Sequence, residues 1–508
     1  MNAKFFPRLA LTMALAFAAS SAIAQDRPAH PDHPQGPAAS ERHGGPGILQ
    51  LLPADSVTEH AIDTPQGKLA YTATAGTLAF FDQSGAKSAE VFYTAYVKNN
   101  AAPNRPLTFV FNGGPGAASA FLHLGLAGPR IVDLGAGGAN AAQLHDNPDT
   151  WLNFTDLVFI DPIGTGWSRA AKADDTKHFW GVRSDAEAMA KAISLYVNHN
   201  NRAGSPKYLF GESYGGFRAV KTARALQRDQ GVSTAGIVML SPLLEGWLTF
   251  GDSDSALVAV LQLPSLAAAE LERNKAFNSK ALAAAEKFAM TDYLTTLAEP
   301  PPQGEAGKAF YERVAKLTGM PLDVVTQVRG FVADAFIKNL RAGEGKIVSH
   351  YDAAFAVDDP YPELRSARGP DPILDDISRG YGGAMAAYAR NELGFKTEMT
   401  YILLAGDASR QWDWQGGRAT VSVDDDLRTM LAFNRSFRVL IAQGYSDMVT
   451  PYAETRYVLD HMPTFDPPGR VALKLYRGGH MIYLNADSRK AFSADAAAFY
   501  RAAENATR

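Results

Sequence analysis

Between Lys207 and Gly216 the chain reads KYLFGESYGG, and this Gly-x-Ser-x-Gly pattern constrains the fold more than any other stretch. Lys207 to Gly211 has the apolar and aromatic content of a short β-strand, and Phe217 to Arg228 has the spacing of an amphipathic helix. The reversal between them is so sharp that Ser213 must take a strained backbone conformation, with no room for side chains at Gly211 and Gly215. Ser213 is then expected exposed at the top of a sheet, above a helix N-terminus that favours negative charge. Glycine-rich chains contain the pattern by accident, so its meaning depends on partners elsewhere.

The surrounding chain supplies a suitable scaffold. From about Ser56 to Asn99, KLAYTATAGTLAFF and AEVFYTAYV, separated by the turn-like DQSGAK, predict antiparallel strands that open a sheet. Leu107 to Phe111 is a buried strand running into NGGPG, and Leu157 to Ile160 repeats the theme before DPIGTGWS. A helical pattern from Ser184 to Asn198, the elbow strand, its helix and a strand from Gly236 complete the alternation. Strands alternating with helices imply a largely parallel α/β sheet whose site lies on loops at the carboxyl ends of the strands. From roughly Asp252 to Gln415 the period is mostly helical, which reads as a cap inserted into the sheet domain. Strands return at Phe437–Gly444 and Val471–Tyr476, and a last helix, Ser488 to Ala503, is expected to pack back on the sheet.

At 508 residues the chain is too long for one minimal core, in keeping with such an insertion. A net charge of −4 gives no reason to expect nucleic acid or an anionic membrane as partner. The first residues carry Lys4 and Arg8 before a short apolar run from Leu9 that closes with Ala22-Ile23-Ala24, the pattern of an export signal cut after Ala24. The run is shorter than the ~20 residues that span a membrane, so no anchor is expected, and the signal's style suggests a bacterial periplasmic or secreted protein. Positions 25–47, rich in Pro, Gly and His, read as a disordered leader in which His30, His33 and His43 have no fixed geometry for a metal. The expected layout is therefore signal 1–24, leader 25–47, core 48–250, helical cap 251–415 and core 416–508. The absence of cysteine excludes thiol catalysis, thiolate metal sites and disulfides.

In α/β-hydrolases the nucleophile is followed along the chain by an acid and then a histidine, each on a loop after a strand. Of the eleven histidines only His350, His461 and His480 follow Ser213. His350 lies in the expected cap and His461 in the helix-like ETRYVLDHM; His480 alone follows a strand, through the flexible Gly478-Gly479. GYSDMVTP places Asp447 just beyond the preceding strand, whereas Asp424, Asp425 and Asp426 precede it and read as a solvated turn or helix cap. In this scheme His480 takes the proton of Ser213, and Asp447 fixes its tautomer and stabilises its cation. Oxyanion donors are expected from the N–H groups of Tyr214 and Gly114. No cofactor and no metal is called for.

Together FNGGPGAAS, IDPIGTGWS, GESYGG, GYSDMVTP and GGHM resemble the serine carboxypeptidase family, in that order, from about Leu107 to the C-terminus. The resemblance implies an α/β-hydrolase fold with an inserted helical cap, and release of C-terminal residues from peptides that carry a free C-terminus. It implies that Asn112, with the backbone of Gly113, and Glu212 hold the substrate's terminal carboxylate. Two facing carboxyl groups cannot comfortably both ionise, so Glu212 is expected protonated and binding strongest in acid. Three positions depart from the family pattern. Val110-Phe111 stand where Trp is frequent, Leu126 and Ala127 where a Glu of the carboxylate network is usual, and Ala117 where Cys is common. An esterase or acyltransferase on the same scaffold, and an inactive binding relative, are the competing readings. Tyr214 and Trp167 are candidate pocket walls.

Overall fold

A computed structural model describes residues 47–135 and 138–507. The expected export signal, its cut after Ala24, the three leader histidines and nearly all of the expected leader lie outside the described residues. Among the described residues no helix is long and apolar enough to cross a membrane.

The main sheet begins as an antiparallel meander because its first strands are joined by turns too short for anything else. Ser56–Thr64 pairs with Gly67–Phe81, and that strand with Lys87–Lys98. The second turn is built by Asp82, whose carboxylate accepts from the N–H groups of Ser84 (2.9 Å) and Ala86 (3.0 Å). Beyond it the strand order is Asp156–Ile160, Leu107–Phe111, Lys207–Glu212, Gly236–Leu240, Arg438–Gly444 and Val471–Tyr476, all mutually parallel. This is the mostly parallel α/β sheet expected of an α/β-hydrolase.

The parallel strands read as near-continuous apolar runs because both faces are covered. Val110, Phe210, Val238 and Leu440 point to one face, where Phe492, Ala496 and Tyr500 of the last helix (Ala486–Thr507) meet them. Phe109, Leu209, Ile237 and Val439 point to the other, under helices Val182–His199, Tyr214–Gln230 and Asp424–Phe433. Trp151 anchors the first face: its ring stacks on Phe210 at 4.4 Å and its indole N–H donates to the Ser493 hydroxyl at 3.1 Å.

Between the Gly236–Leu240 and Arg438–Gly444 strands the chain is mostly helical, with one small hairpin, Lys346–Val348 against Ala356–Asp358. Helices Ala256–Arg273, Ser279–Phe288 and Gly304–Thr318 bury Val260, Leu263, Phe288, Phe310 and Val314 in a hydrophobic cluster of their own. Helix Pro372–Asn391 behaves differently. Its Ile373, Ile377, Tyr381, Met385 and Tyr388 join the cluster on the sheet's first face. Trp151→Ala is expected to cost about 3–5 kcal/mol through the cavity it leaves between sheet and last helix, measured as a lowered midpoint in thermal or denaturant unfolding.

Candidate active site

The strand Lys207–Glu212 delivers the chain to Ser213, which sits at φ 61° and ψ −128°, a region non-glycine residues rarely occupy. The strain is over-determined by its neighbours. Ser213 donates its N–H to the Leu240 carbonyl at 2.9 Å, and its own carbonyl accepts from Gly216 at 2.9 Å and Leu243 at 3.2 Å. A Cβ at Gly211 would lie 1.9 Å from the Gly215 carbonyl oxygen, and one at Gly215 would lie 2.6 Å from that of Phe111. The helix begins at Tyr214, three residues earlier than its amphipathic pattern indicates, because the turn feeds straight into it, and the close approach of the Phe111–Asn112 backbone to Gly215 and of Pro242 to Gly216 outweighs their low helix propensity.

The Leu107–Phe111 strand brings the second Gly-rich turn to the same place. At Gly113 a Cβ would meet the Glu212 carbonyl and the Tyr214 and Gly215 nitrogens, all at 2.6 Å. Gly114 takes φ +101°. Neither the Gly114 N–H nor the Tyr214 N–H donates to an acceptor within the described residues. Ala117 is tied by backbone: it bridges to Leu404, and the Ala118 N–H donates to the Leu403 carbonyl at 2.9 Å.

Asp447 and His480 come from the loops after the last two strands of the sheet, Arg438–Gly444 and Val471–Tyr476. Asp447 is fully buried; one of its oxygens accepts from the N–H groups of Val449 (2.8 Å) and Thr450 (3.1 Å). The other lies 2.9 Å from His480 Nδ1 and 3.0 Å from the Thr450 hydroxyl. Burial alone would lower the His480 pKa, but the charge of Asp447 and its hydrogen bond outweigh it and leave the imidazole raised. Of Gly478-Gly479, read from the sequence as a flexible approach, Gly479 is tightly packed. A Cβ at Gly479 would lie 1.9 Å from the Tyr351 carbonyl oxygen, and that oxygen accepts the His480 N–H at 2.6 Å.

Ser213 and His480 both line one cavity of about 330 Å³, with Asn112, Gly113, Gly114, Glu212 and Tyr214 also in its wall. No hydrogen bond joins the Ser213 hydroxyl to His480. All the sequence-named site residues therefore meet at this rim, with Asp447 behind His480. Tyr214 is both wall and packing, its ring edge-on to Trp412 and Trp414. Trp167 is packing only: it lies against Phe92, Phe395 and Tyr401 and donates to the Met399 carbonyl. Asp424, Asp425 and Asp426 open a helix, where Asp426 pairs with Lys221 and Arg224. Among the described residues no cluster of His, Asp or Glu is arranged to hold a metal ion.

Glu212 is buried beside Ser213, and desolvation pushes its carboxyl up to about 7, against the opposing influence of His480, Tyr483 and Asn112. The Asn112 amide donates to it, while the Asn112 oxygen accepts from the Leu122 N–H at 3.0 Å. Leu126 and Ala127 are wholly within the apolar core and offer Glu212 no second carboxyl.

Two features escaped the sequence. The hydroxyl of Tyr483 stands 3.2 Å from both oxygens of Glu212; nothing in GGHMIYLN marks it. The fully buried Arg218 pairs with Asp185 at 2.6 Å and also donates to the Asn112 carbonyl, fastening the elbow helix to the Asn-Gly-Gly turn. A cation on the inward face of a helix was a usable signal, since a buried charge needs a partner.

Comparison with known proteins gives the following likenesses. Residues 67–239 match the model of the serine carboxypeptidase family. The retinoid-inducible serine carboxypeptidase of Mus musculus is 34% identical over 136 residues, 26% of this chain and 27% of the relative. A pheromone-processing carboxypeptidase of Yarrowia lipolytica is 31% identical over 148 residues, 28% of this chain and 22% of the relative. The chain thus spans about a quarter of the length of the curated relatives it matches, and the stretch matched by the family model holds Asn112 and Ser213 but not Asp447 or His480. The crystal structure of a prohormone-processing carboxypeptidase from Saccharomyces cerevisiae superposes with a TM-score of 0.52 at 14% identity, covering 88% of this chain and 94% of that one, which bears on the fold.

Gly211→Ala is expected to destabilise by more than about 4 kcal/mol, since its Cβ meets backbone that cannot yield. Gly204→Ala, whose Cβ meets nothing within 4 Å, should stay within about 0.5 kcal/mol of the parent. Chemical denaturation of the two variants side by side makes the comparison.

Proposed function

From the premise that this chain is a relative of the serine carboxypeptidases with an α/β-hydrolase fold, we propose that it is an exported serine carboxypeptidase, releasing C-terminal residues from peptides through an acyl-enzyme on Ser213. The observation that carries the proposal is the His480 imidazole, held through Nδ1 by buried Asp447 at 2.9 Å and sharing one cavity wall with Ser213 and a protonatable Glu212. Ser213 Oγ attacks the last peptide carbonyl while His480 Nε2 takes its proton; nucleophile–base bonds of this kind tighten when substrate binds. The oxyanion is received by the Gly114 and Tyr214 N–H groups, and the helix that starts at Tyr214 adds its N-terminal dipole. His480 then protonates the leaving amine, and a water, activated by the same imidazole, returns the acid and frees Ser213.

Asn112, the Gly113 backbone and Glu212 receive the substrate's terminal carboxylate. A protonated Glu212 donates to that anion; an ionised one repels it. Residues 251–415 act as the cap, whose Leu404 and Trp414 join Phe250 at the cavity wall. Export rests on the N-terminal signal pattern.

Ser213→Ala and His480→Ala are each expected to lower kcat/KM by at least about 10⁴-fold, with blocked dipeptides as substrate. A near-normal rate in either variant overturns the assignment, and equal turnover of C-terminally free and amidated dipeptides favours an esterase. Because the Glu212 pKa is raised to about 7, its proton is present below that pH and lost above it. KM for free-carboxylate peptides should therefore be lowest in acid and climb about tenfold per pH unit beyond about 7, a climb that Glu212→Gln should abolish. A flat KM from pH 5 to 9 in the parent enzyme overturns the role of Glu212.

A further inference from the structure

Glu212 has one neighbour that the carboxylate-recognition scheme does not use. Tyr483, three residues beyond His480 and only 2% exposed, presents its hydroxyl 3.2 Å from each Glu212 oxygen. The ring sits where it does because Gly125 has no side chain. A Cβ there would come within 2.7 Å of the Tyr483 ring and 2.9 Å of the Tyr381 hydroxyl. Leu126 and Ala127 are buried in the same apolar cluster as the ring. Glu212 is thus gripped by two neutral donors, the Asn112 amide on one oxygen and the Tyr483 hydroxyl shared between both.

We infer that Tyr483 is a positioning residue for terminal-carboxylate recognition, orienting the Glu212 carboxyl so that its proton points to the anion of a bound peptide. The inference rests on the carboxypeptidase reading above. The hydroxyl has one hydrogen to give, and burial holds its own pKa well above the usual tyrosine range, so it remains a donor wherever the enzyme works. The groups that face Glu212 are His480, whose charge favours the carboxylate, Asp447, whose charge opposes it, and the hydroxyls of Tyr351 and Tyr381. None of these reaches a Glu212 oxygen by a hydrogen bond, so Asn112 and Tyr483 alone fix its rotamer.

Removing the hydroxyl therefore has two separable effects. The carboxyl loses its fixed orientation, which weakens binding of a terminal carboxylate but leaves the chemistry at Ser213 untouched. The ionised form loses a donor, which moves the pH of proton loss upward. The test measures kcat and KM of the parent and Tyr483→Phe from pH 5 to 9, on a blocked dipeptide with a free C-terminus and on its methyl ester. For Tyr483→Phe we expect KM for the free acid to rise about tenfold with kcat within about twofold, ester kinetics within about twofold, and the alkaline climb of KM to begin at higher pH. Gly125→Ala, which displaces the ring by a different route, should give the same selective rise in KM. A KM change equal on acid and ester, or an alkaline climb that does not move, overturns the role of Tyr483. If the parent itself treats acid and ester alike, the carboxypeptidase reading fails; if the parent discriminates and both variants keep its KM, only the inference about Tyr483 fails.

Discussion

At the rim of the sheet, backbone lies directly on backbone. Gly211 and Gly215 touch across the elbow, Gly113 touches Tyr214 and Gly215, and no side chain fits at any of the three contacts. Peptide groups this close cannot slide or repack as side chains do, so the relation between Ser213, the Tyr214 N–H and the Asn-Gly-Gly turn is set by main-chain geometry. The strained φ of Ser213 persists because the Leu240, Gly216 and Leu243 hydrogen bonds leave the chain no alternative path. Arg218 reinforces the arrangement from below, spending a buried guanidinium on Asp185 and the Asn112 carbonyl.

Two buried carboxyls stand on either side of this scaffold, and their surroundings differ in kind. Asp447 receives two backbone N–H groups, a hydroxyl and an imidazole, a donor set that compensates a negative charge for its loss of water. Glu212 receives an amide and a hydroxyl among apolar walls, which compensates the charge less well and shifts it toward the neutral acid. The difference bears on the proposed mechanism, because one carboxyl faces the His480 imidazole and the other lines the cavity shared with Ser213. Donor count, more than residue type, separates the two environments.

Much of this was readable from the chain alone. The elbow, the buried strands and the order of Ser213, Asp447 and His480 are local patterns, and a sheet of parallel strands puts the loops after its strands at one edge. What could not be read depends on contacts between distant segments. Tyr483 lies 271 positions from Glu212, and Trp167, which reads equally well as a pocket wall, turns out to pack against Phe395 and Tyr401. The tight Gly479 looked flexible because sequence shows a missing side chain but not the Tyr351 carbonyl that needs the vacancy. Helix Pro372–Asn391 carries an ordinary amphipathic pattern that does not reveal which cluster its apolar face joins.

The short segment His350–Ala353 belongs to the long excursion between two sheet strands, yet it clasps both of the loops that carry Asp447 and His480. The His350 carbonyl accepts from Met448, the Tyr351 carbonyl from His480, and Asp352 and Ala353 both bond to Ser446. The excursion's own hydrophobic cluster takes in Met448 as well. On the proposed reading, with this excursion as cap and His480 as base, roof and machinery share a hinge pin. Remodelling the roof to admit a different guest would also tug on the imidazole, and selectivity and reactivity would be inherited as one mechanical trait.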